Sequence, residues 1–210
     1  DPFYRRAKEL DADFRFKEEV EQIVVREGKV QGVKARSGTY SAPVVVDAAG
    51  PFSKTVCETA GVHIPVTPDS HEAAITEPVK SFFTTMVVDL RPGPDSKNYY
   101  FYQNSLGQIV FCITPEPLIV GNDRRETSLF LPQVGARMVR LLPRLKNLRV
   151  RRMWRGLYPM TPDGSPLVGW NTQVQGLLHA TGMCGQGFML GPGVGQVVAR
   201  IITGKTAEQD

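Results

Sequence analysis

A glycine-rich turn near the end of the chain is the stretch best suited to hold a ligand. Before it, residues 177–181 read as a short apolar strand, and after it residues 194–202 have the apolar spacing of a buried helix. Because glycine has no Cβ, a flat ligand can approach the backbone amides there, and the following helix N-terminus offers unpaired N–H groups. The glycines of this stretch are Gly182, Gly185, Gly187, Gly191, Gly193 and Gly195.

The same stretch does not match a dinucleotide-phosphate motif. That motif places G-x-G-x-x-G in a βαβ unit of about 30 residues, with an acidic residue roughly 20 positions further on. Here the spacing reads G-x-G-x-x-x-G, and only 23 residues (210 minus 187) follow Gly187. A second strand does not fit into that length. A glycine-rich turn that merely closes a sheet stays open as the structural alternative.

A second candidate segment follows three consecutive valines, residues 44–46. This run predicts a strand covered on both faces, ending at Asp47 and the small residues Ala48, Ala49 and Gly50. In an open α/β sheet, ligands bind outside the carboxyl ends of the strands, and small residues leave room for them. A tight turn that needs small residues explains this stretch alone equally well.

The histidines and cysteines indicate neither hydrolytic nor metal chemistry. The histidines are isolated along the chain and no G-x-S-x-G occurs, so we expect core or surface roles for them. The cysteines are three, widely spaced and free of C-x-x-C, which predicts free thiols, no metal site and a reducing, cytoplasmic setting. These residues are His63, His71, His179, Cys57, Cys112 and Cys184.

Composition places the chain among ordinary globular proteins. Of its 210 residues, 41% are hydrophobic and 22% charged, and no apolar run approaches the ~18 residues of a membrane span. The net charge is +4, but the basic residues are spread out, and the densest group alternates with apolar residues as in a half-solvated strand. We therefore expect no nucleic-acid partner. That group is Arg149, Arg151, Arg152 and Arg155.

Periodicity and turn residues predict mixed helices and strands. We expect a hairpin of residues 20–25 and 30–35 turning at Glu27 and Gly28, and a helix over residues 131–142 bounded by prolines. Residues 20–50 should form one small antiparallel sheet that includes the valine strand, separate from a sheet in residues 82–113. Further predicted elements are helices at 1–10 and 55–61, strands at 39–41, 71–78, 82–90, 99–103, 109–113, 148–154 and 167–170, and a rigid loop at 156–166.

Three segments together resemble a known family, the FAD-dependent amine and amino-acid oxidoreductases that include D-amino acid oxidase, glycine oxidase and sarcosine oxidase. The resemblance is carried by GKVQGVKARSGTYSAPVVVDAAGPFS, WRGLYPMTPDGSPLVG and HATGMCGQGFMLGPGVGQVVARIITG. It spans nearly the whole chain, and the chain looks most similar to sarcosine oxidase beta subunits and similar dye-linked dehydrogenase subunits. The resemblance implies oxidation of a secondary amine or amino acid by hydride transfer to flavin.

The resemblance also predicts the organisation of the chain. Family members open with a strand and a G-x-G-x-x-G turn that hold the ADP half of FAD, and no such pattern occurs here. Together with a first residue that is Asp1 and not Met, this predicts a C-terminal fragment, with roughly 100 to 150 residues absent upstream. The expected fold class is α+β / α/β: residues 1–61 and 150–210 complete an FAD-binding domain, and residues 62–149 form an antiparallel substrate-domain sheet with a helix.

The resemblance assigns roles to individual positions. Tyr158 is implied to face the substrate pocket, although packing under a proline-rich loop is the alternative reading of this aromatic residue. The positions implied to contact FAD are Ala49, Gly50, Gly156, Gly182, Gly185, Gln186, Gly187, Phe188 and Met189.

Two departures from the family pattern limit what can be carried over. Gly156 stands where monomeric sarcosine oxidases have a cysteine bonded to the flavin, so we expect noncovalent FAD. Met189 stands where they have a lysine for the substrate carboxylate, and a thioether cannot pair with a carboxylate.

We expect this piece alone to hold no FAD and to be inactive, because the ADP-binding half-site is missing. Other subunits of a hetero-oligomeric enzyme are possible partners in this prediction. A self-standing module that binds an anion or another small ligand at the glycine-rich helix end, without catalysis, is the alternative function.

Overall fold

A computed structural model describes residues 2–205, and three separate sheets organise that part of the chain. The first sheet is an antiparallel meander of β1 (Val20–Arg26), β2 (Lys29–Ala35) and β3 (Gly38–Ser41). Glu27 and Gly28 join β1 to β2 with positive φ angles of 50° and 72°, which is the backbone of a tight hairpin turn. The predicted hairpin is confirmed.

The second sheet contains the valine strand. β4 (Val45–Asp47) pairs parallel with β11 (Leu177–Thr181), which pairs antiparallel with β10 (Leu167–Trp170). The expectation that β4 continues the β1–β3 sheet is therefore wrong, because its hydrogen bonds go to a strand from the far end of the chain. Val46 is 37% exposed, so residues 2–205 do not cover this strand on both faces as the valine run predicted.

The third sheet has five strands in the order β6, β7, β8, β5, β9, with antiparallel neighbours throughout. As predicted, this sheet is separate from the first. One face packs against α3 (Phe130–Leu141), which joins a core of aromatic and aliphatic side chains. The five strands are β5 (Thr67–Thr76), β6 (Val87–Asp89), β7 (Ser96–Gln103), β8 (Ile109–Pro115) and β9 (Val150–Met160).

β9 is longer than the sequence predicted. The expected loop over 156–166 is a strand as far as Met160, because β9 is an edge strand that pairs only with β5. Proline has no N–H to donate to a strand ladder. Because β9 pairs on one side only, the backbone nitrogen of Pro159 can face away from β5, so Pro159 does not end the strand.

The remaining helices are α1 (Pro2–Glu9), α2 (Ser53–Glu58) and α4 (Gly187–Thr203), with short 3₁₀-helices at Gly50–Phe52 and Pro143–Asn147. α4 begins seven residues before the predicted start at residue 194. The glycine-rich turn is therefore shorter than the sequence indicated, and Gly187, Gly191, Gly193 and Gly195 are helical.

Candidate functional site

The parallel pairing of β4 and β11 brings the two predicted ligand segments together. Asp47 lies opposite His179 in the register, so both strands end at the same edge of the sheet. Each then enters a turn through a glycine with a left-handed φ, 56° at Gly50 and 68° at Gly182. Thr181 Oγ1 donates to the Gly50 carbonyl at 3.3 Å. The two turns are thus hydrogen-bonded to each other.

A buried carboxylate holds the first turn in place. Asp47 Oδ1 accepts from the Ala49 N–H at 3.1 Å and from Ser53 Oγ at 2.8 Å. Burial alone would raise the pKa of the Asp47 carboxyl, but hydrogen bonds from His179, Ala49, Ser53 and Cys57 outweigh it and lower this pKa below its ordinary value. Asp47 is therefore a charged anchor for the backbone of Ala49.

His179 is not isolated, contrary to the expectation from sequence. Asn171 Oδ1 accepts from the N–H groups of Gln173 and Val174, both at 2.8 Å, so its amide nitrogen faces the ring and donates to His179 Nε2 at 3.1 Å. The ring proton consequently sits on Nδ1, which lies 3.4 Å from Asp47 Oδ2. His179 links the loop after β10, which contains Asn171, to the anchor at Asp47.

Cys57 completes this group. Ligand atoms of Asp47, Cys57 and His179 lie within 4.8 Å of one another, a spacing that a metal ion could use. Burial and then the Asp47 charge raise the pKa of the Cys57 thiol, so the thiol keeps its proton and donates it to Asp47 Oδ2 at 3.3 Å. A protonated thiol is a poor metal ligand. The three side chains form a hydrogen-bonded anchor.

The N-terminus of α4 is open. Gln186 makes no side-chain cap, and its carbonyl accepts from the N–H groups of Met189 and Leu190. The N–H groups of Gly187 and Phe188 have no acceptor among residues 2–205. Phe188 is 100% exposed and Met189 is 74% exposed. This helix end can therefore donate hydrogen bonds to an acceptor outside the described part of the chain.

Gly185 lies directly against Tyr158. A Cβ placed on Gly185 would stand 2.9 Å from Tyr158 Cε2, which real side chains do not tolerate. Gly182 is similarly crowded, since its Cβ would stand 2.6 Å from Thr161 Cγ2. Gly187 differs, because it is the first residue of α4 and has no left-handed φ. Contacts with β9 and with the loop after it therefore leave no room for a side chain at Gly185 or Gly182.

Tyr158 belongs to the face of the five-stranded sheet that is turned away from α3. Ala74 of β5 and Met153 of β9 pack in the α3 core, and residues on a strand alternate between faces. Tyr158 lies opposite Asp69 in the register, and the side chains of both residues lie on the face away from α3. Burial and then the neighbouring Cys112 raise the pKa of the Tyr158 hydroxyl, which therefore stays protonated at neutral pH.

Asp69 and His71 are two further polar residues that sequence reasoning missed. His71 Nε2 lies 2.7 Å from Asp69 Oδ2, and the His71 ring stacks on Tyr158 with centroids 4.0 Å apart. The expectation of an isolated His71 is wrong. The available signal was the D-x-H spacing in a strand, which puts both side chains on one face. Gly156, opposite His71 in the register, lies in β9 and not in a loop.

Comparison with known proteins identifies the family. A family model described as FAD dependent oxidoreductase matches residues 2–201, almost the whole chain. The chain belongs to this family of FAD-dependent oxidoreductases. The resemblance noted in the sequence and the mixed fold expected from it are both confirmed.

Relatives and solved structures agree. The chain is 30% identical to a glycine oxidase of Pseudomonas putida over 87% of its length and 47% of the relative's. It is also 30% identical to a D-amino acid dehydrogenase of Cereibacter sphaeroides, over 96% of its length and 45% of the relative's. A crystal structure of L-proline dehydrogenase from P. horikoshii superposes with a TM-score of 0.85 at 31% identity, covering 98% of this chain and 55% of that one.

The chain therefore spans about half the length of the relatives it matches. None of the helices in the part of the chain that the structure describes is long and apolar enough to cross a membrane.

Proposed function

We propose that this chain forms part of an FAD-dependent oxidase or dehydrogenase that oxidises a secondary amine or an amino acid. The observation that carries the proposal is the contact between Gly185 and Tyr158. It places the open N-terminus of α4 next to the polar face of the five-stranded sheet. A cofactor held by the helix end and a substrate held by that face would be neighbours.

The residues at the helix end fit a flat, electron-rich cofactor. Gly187 and Phe188 have free N–H groups, and the positive end of the α4 dipole favours negative charge. Ala49, whose N–H donates to Asp47, and Gly50 border the same strand ends. We assign FAD binding to these residues together with Gly156, Gly182, Gly185, Gln186 and Met189. FAD, when bound, supplies the acceptor for a hydride, which carries two electrons and a proton.

The protein's own contribution on the substrate side is positioning and exclusion of water. Tyr158 is protonated and can donate a hydrogen bond to a substrate lone pair or carboxylate. The amine must be neutral when its neighbouring carbon loses hydride, so a low-dielectric site that disfavours the ammonium form helps the reaction. The exposed Phe188 and Met189 are apolar and would help to close such a site against water.

The relatives suggest the substrate class. Glycine oxidase, D-amino acid dehydrogenase and L-proline dehydrogenase are named for amino acids in which an amine adjoins a C–H bond. We propose a small amino acid or secondary amine for this protein too. Met189 cannot anchor a carboxylate, so such an anchor would lie elsewhere in the full protein.

The proposal includes the predicted division of the chain. Residues 1–61 and 150–210 would be parts of an FAD-binding domain, and residues 62–149 would form a substrate domain. The proposal also includes additional subunits. A cytoplasmic location is proposed because Cys57, Cys112 and Cys184 are free thiols, which suit a reducing compartment.

The proposal is tested in the protein made from the complete reading frame. We expect it to purify with FAD and to reduce a dye or oxygen when given glycine, sarcosine, D-alanine or L-proline. Tyr158→Ala should raise KM for the active substrate, while Tyr40→Ala, in β3 of a different sheet, should not. A protein that binds no flavin, or that oxidises none of these amines, would contradict the proposal.

A further inference from the structure

The Asp69–His71 pair is a buried polar group to which the proposed function assigns no task. Asp69 is 1% exposed and His71 is 5% exposed. Both lie on β5, two residues apart, on the face that carries Tyr158. Placing a carboxylate and an imidazole out of water is costly unless they are hydrogen-bonded. The presence of this buried pair therefore needs a physical explanation.

Asp69 fixes the orientation of the His71 ring. Its Oδ1 accepts from the Ile119 N–H at 3.0 Å, and its Oδ2 lies 2.7 Å from His71 Nε2. A carboxylate can only accept, so Nε2 carries the proton of this bond. His71 Nδ1 is buried and has no partner among residues 2–205. Asp69 is thus the polar anchor that sets the plane of the imidazole.

The oriented imidazole is one support of Tyr158. The two rings stack with centroids 4.0 Å apart and an interplanar angle of 28°. The same phenol ring touches the backbone of Gly185, as the 2.9 Å distance from a Gly185 Cβ shows. The Tyr158 ring therefore contacts both a side chain of β5 and the turn before α4. A shift of the His71 ring would remove one of the contacts that hold the Tyr158 ring at the candidate site.

The titratable groups around Tyr158 come from three further strands. Asp69 and His71 belong to β5, Cys112 to β8 and Tyr100 to β7. Of these, only His71 makes a stacking contact with Tyr158 among the ring pairs of residues 2–205. It lies against the face of the phenol ring, whereas Tyr100 and Cys112 interact with the ring's hydroxyl.

We propose that His71, anchored by Asp69, is a positioning residue for Tyr158 and thereby for the substrate. This inference rests on the proposed function, because it requires that Tyr158 face the substrate. His71 itself is buried and does not contact the substrate. Its effect on catalysis passes through the position of the phenol ring.

A double-mutant cycle in the FAD-loaded, full-length protein tests the inference. His71→Gln keeps a donor that can reach Asp69 but removes the aromatic ring. A misplacement on the order of 1 Å can cost about 10²-fold in rate, so we expect a fall in kcat/KM of about 10- to 100-fold, with a lower kcat as well as a higher KM. In a Tyr158→Ala background, the same change should lower kcat/KM by less than about 3-fold, because neighbours that act as a unit are not additive.

Two outcomes would overturn the inference: no loss in His71→Gln, or an equal loss in both backgrounds, which would give His71 a role independent of Tyr158. If His71→Gln does not fold, Asp69→Asn combined with His71→Phe removes the buried charge and keeps a ring on Tyr158. That variant should retain kcat/KM within about 5-fold if stacking is what matters. The phenylalanine ring has no polar atom that needs an anchor, so a loss as large as the one expected for His71→Gln would contradict positioning by the stacked ring.

Failure of the proposed function gives a different pattern. If the wild type oxidises no amine, the same four proteins still report whether His71 supports Tyr158 through their urea midpoints. Non-additive unfolding free energies would show that His71 still positions the Tyr158 ring although the substrate role has failed, and additive ones would overturn the positioning of the ring as well.

Discussion

The ring of Tyr158 lies so close to the backbone of Gly185 that a Cβ on Gly185 would stand 2.9 Å from Tyr158 Cε2. Gly185 belongs to the turn between β11 and α4, whereas Tyr158 belongs to β9 of the five-stranded sheet. One van der Waals contact therefore joins two sheets at the candidate site. A side chain at 185 cannot be added without moving Tyr158 or the turn.

Gly185→Ala should accordingly destabilise the protein and disturb its site. Overpacking costs about 1–3 kcal/mol of unfolding free energy, which urea unfolding will measure. Gly135→Ala is the matched control, because Gly135 is inside α3 and a Cβ there meets nothing within 4 Å. The control should gain up to about 1 kcal/mol from helix propensity. Equal effects of the two alanines would show that the contact with Tyr158 is unimportant.

Asp47→Asn should weaken the anchor beneath the first turn. Hydrogen bonds to charged groups contribute about 1.5–3 kcal/mol, so we expect a loss of about 2 kcal/mol at pH 7. The pKa of Asp47 is lowered in the folded protein, so its contribution is present above the unfolded pKa of about 3.9 and is lost as the pH falls through the folded value.

The stability gap between wild type and Asp47→Asn should therefore narrow below about pH 4. Urea midpoints across pH 7 to 3 measure this, with the exposed Asp13→Asn as the control. A gap of constant size over that whole range would mean that the carboxylate charge is not what stabilises the turn.

Local patterns in the sequence were sufficient for much of the fold. The hairpin at Glu27 and Gly28 followed from turn chemistry, and the α3 helix was predicted over 131–142 and found at Phe130–Leu141. The strand ends followed by turns at Gly50 and Gly182 were also predicted, because small residues at strand ends have a local signature. Their meeting depends on the parallel pair β4 and β11, which no local pattern specifies.

Long-range contacts explain what sequence reasoning missed. Pro159 looked like a strand breaker, and only its place on an edge strand makes it tolerable. The early turns of α4 contain three glycines and Pro192, which predict no helix by propensity, yet α4 begins at Gly187. Tyr158, on which His71 stacks, and Asp47, which lies beside His179, are on other strands, so no local pattern showed these contacts. Only the Asp69–His71 pair, within β5, had a local signal in the sequence.

The cysteines should be unreactive while the protein is folded. Burial raises the pKa of the Cys112 thiol to about 11, so at pH 8 roughly one thiol in 10³ is ionised. Cys57 is fully buried and its pKa is also raised, and Cys184 is 9% exposed. We expect no rapid alkylation in the native state and three alkylated thiols in guanidinium chloride, counted by mass. Rapid labelling of the native protein would contradict this burial.

Gly187→Val should lower flavin retention in the full-length enzyme. Gly187 is the first residue of α4, and its added Cβ would already lie 3.1 Å from Met183 Cβ. The two methyls of valine would crowd Met183 further and move the helix N-terminus, whose free N–H groups are proposed to face the flavin. FAD content after gel filtration and the rate of reduction by substrate should both fall, whereas Gly135→Val in α3 should leave FAD content unchanged.

The same enzyme also tests how the flavin is held. Gly156 offers no thiol for a covalent link, and none of the N–H groups at the α4 N-terminus can form one, so binding should rest on hydrogen bonds and the helix dipole. Acid unfolds the helix and removes that dipole, which should release the flavin. Precipitation of the wild type with acid should therefore leave the yellow colour in the supernatant. Colour that stays in the pellet would require a covalent bond from another residue. In the other experiment, unchanged FAD retention in Gly187→Val would mean that the N-terminus of α4 is not part of the flavin site.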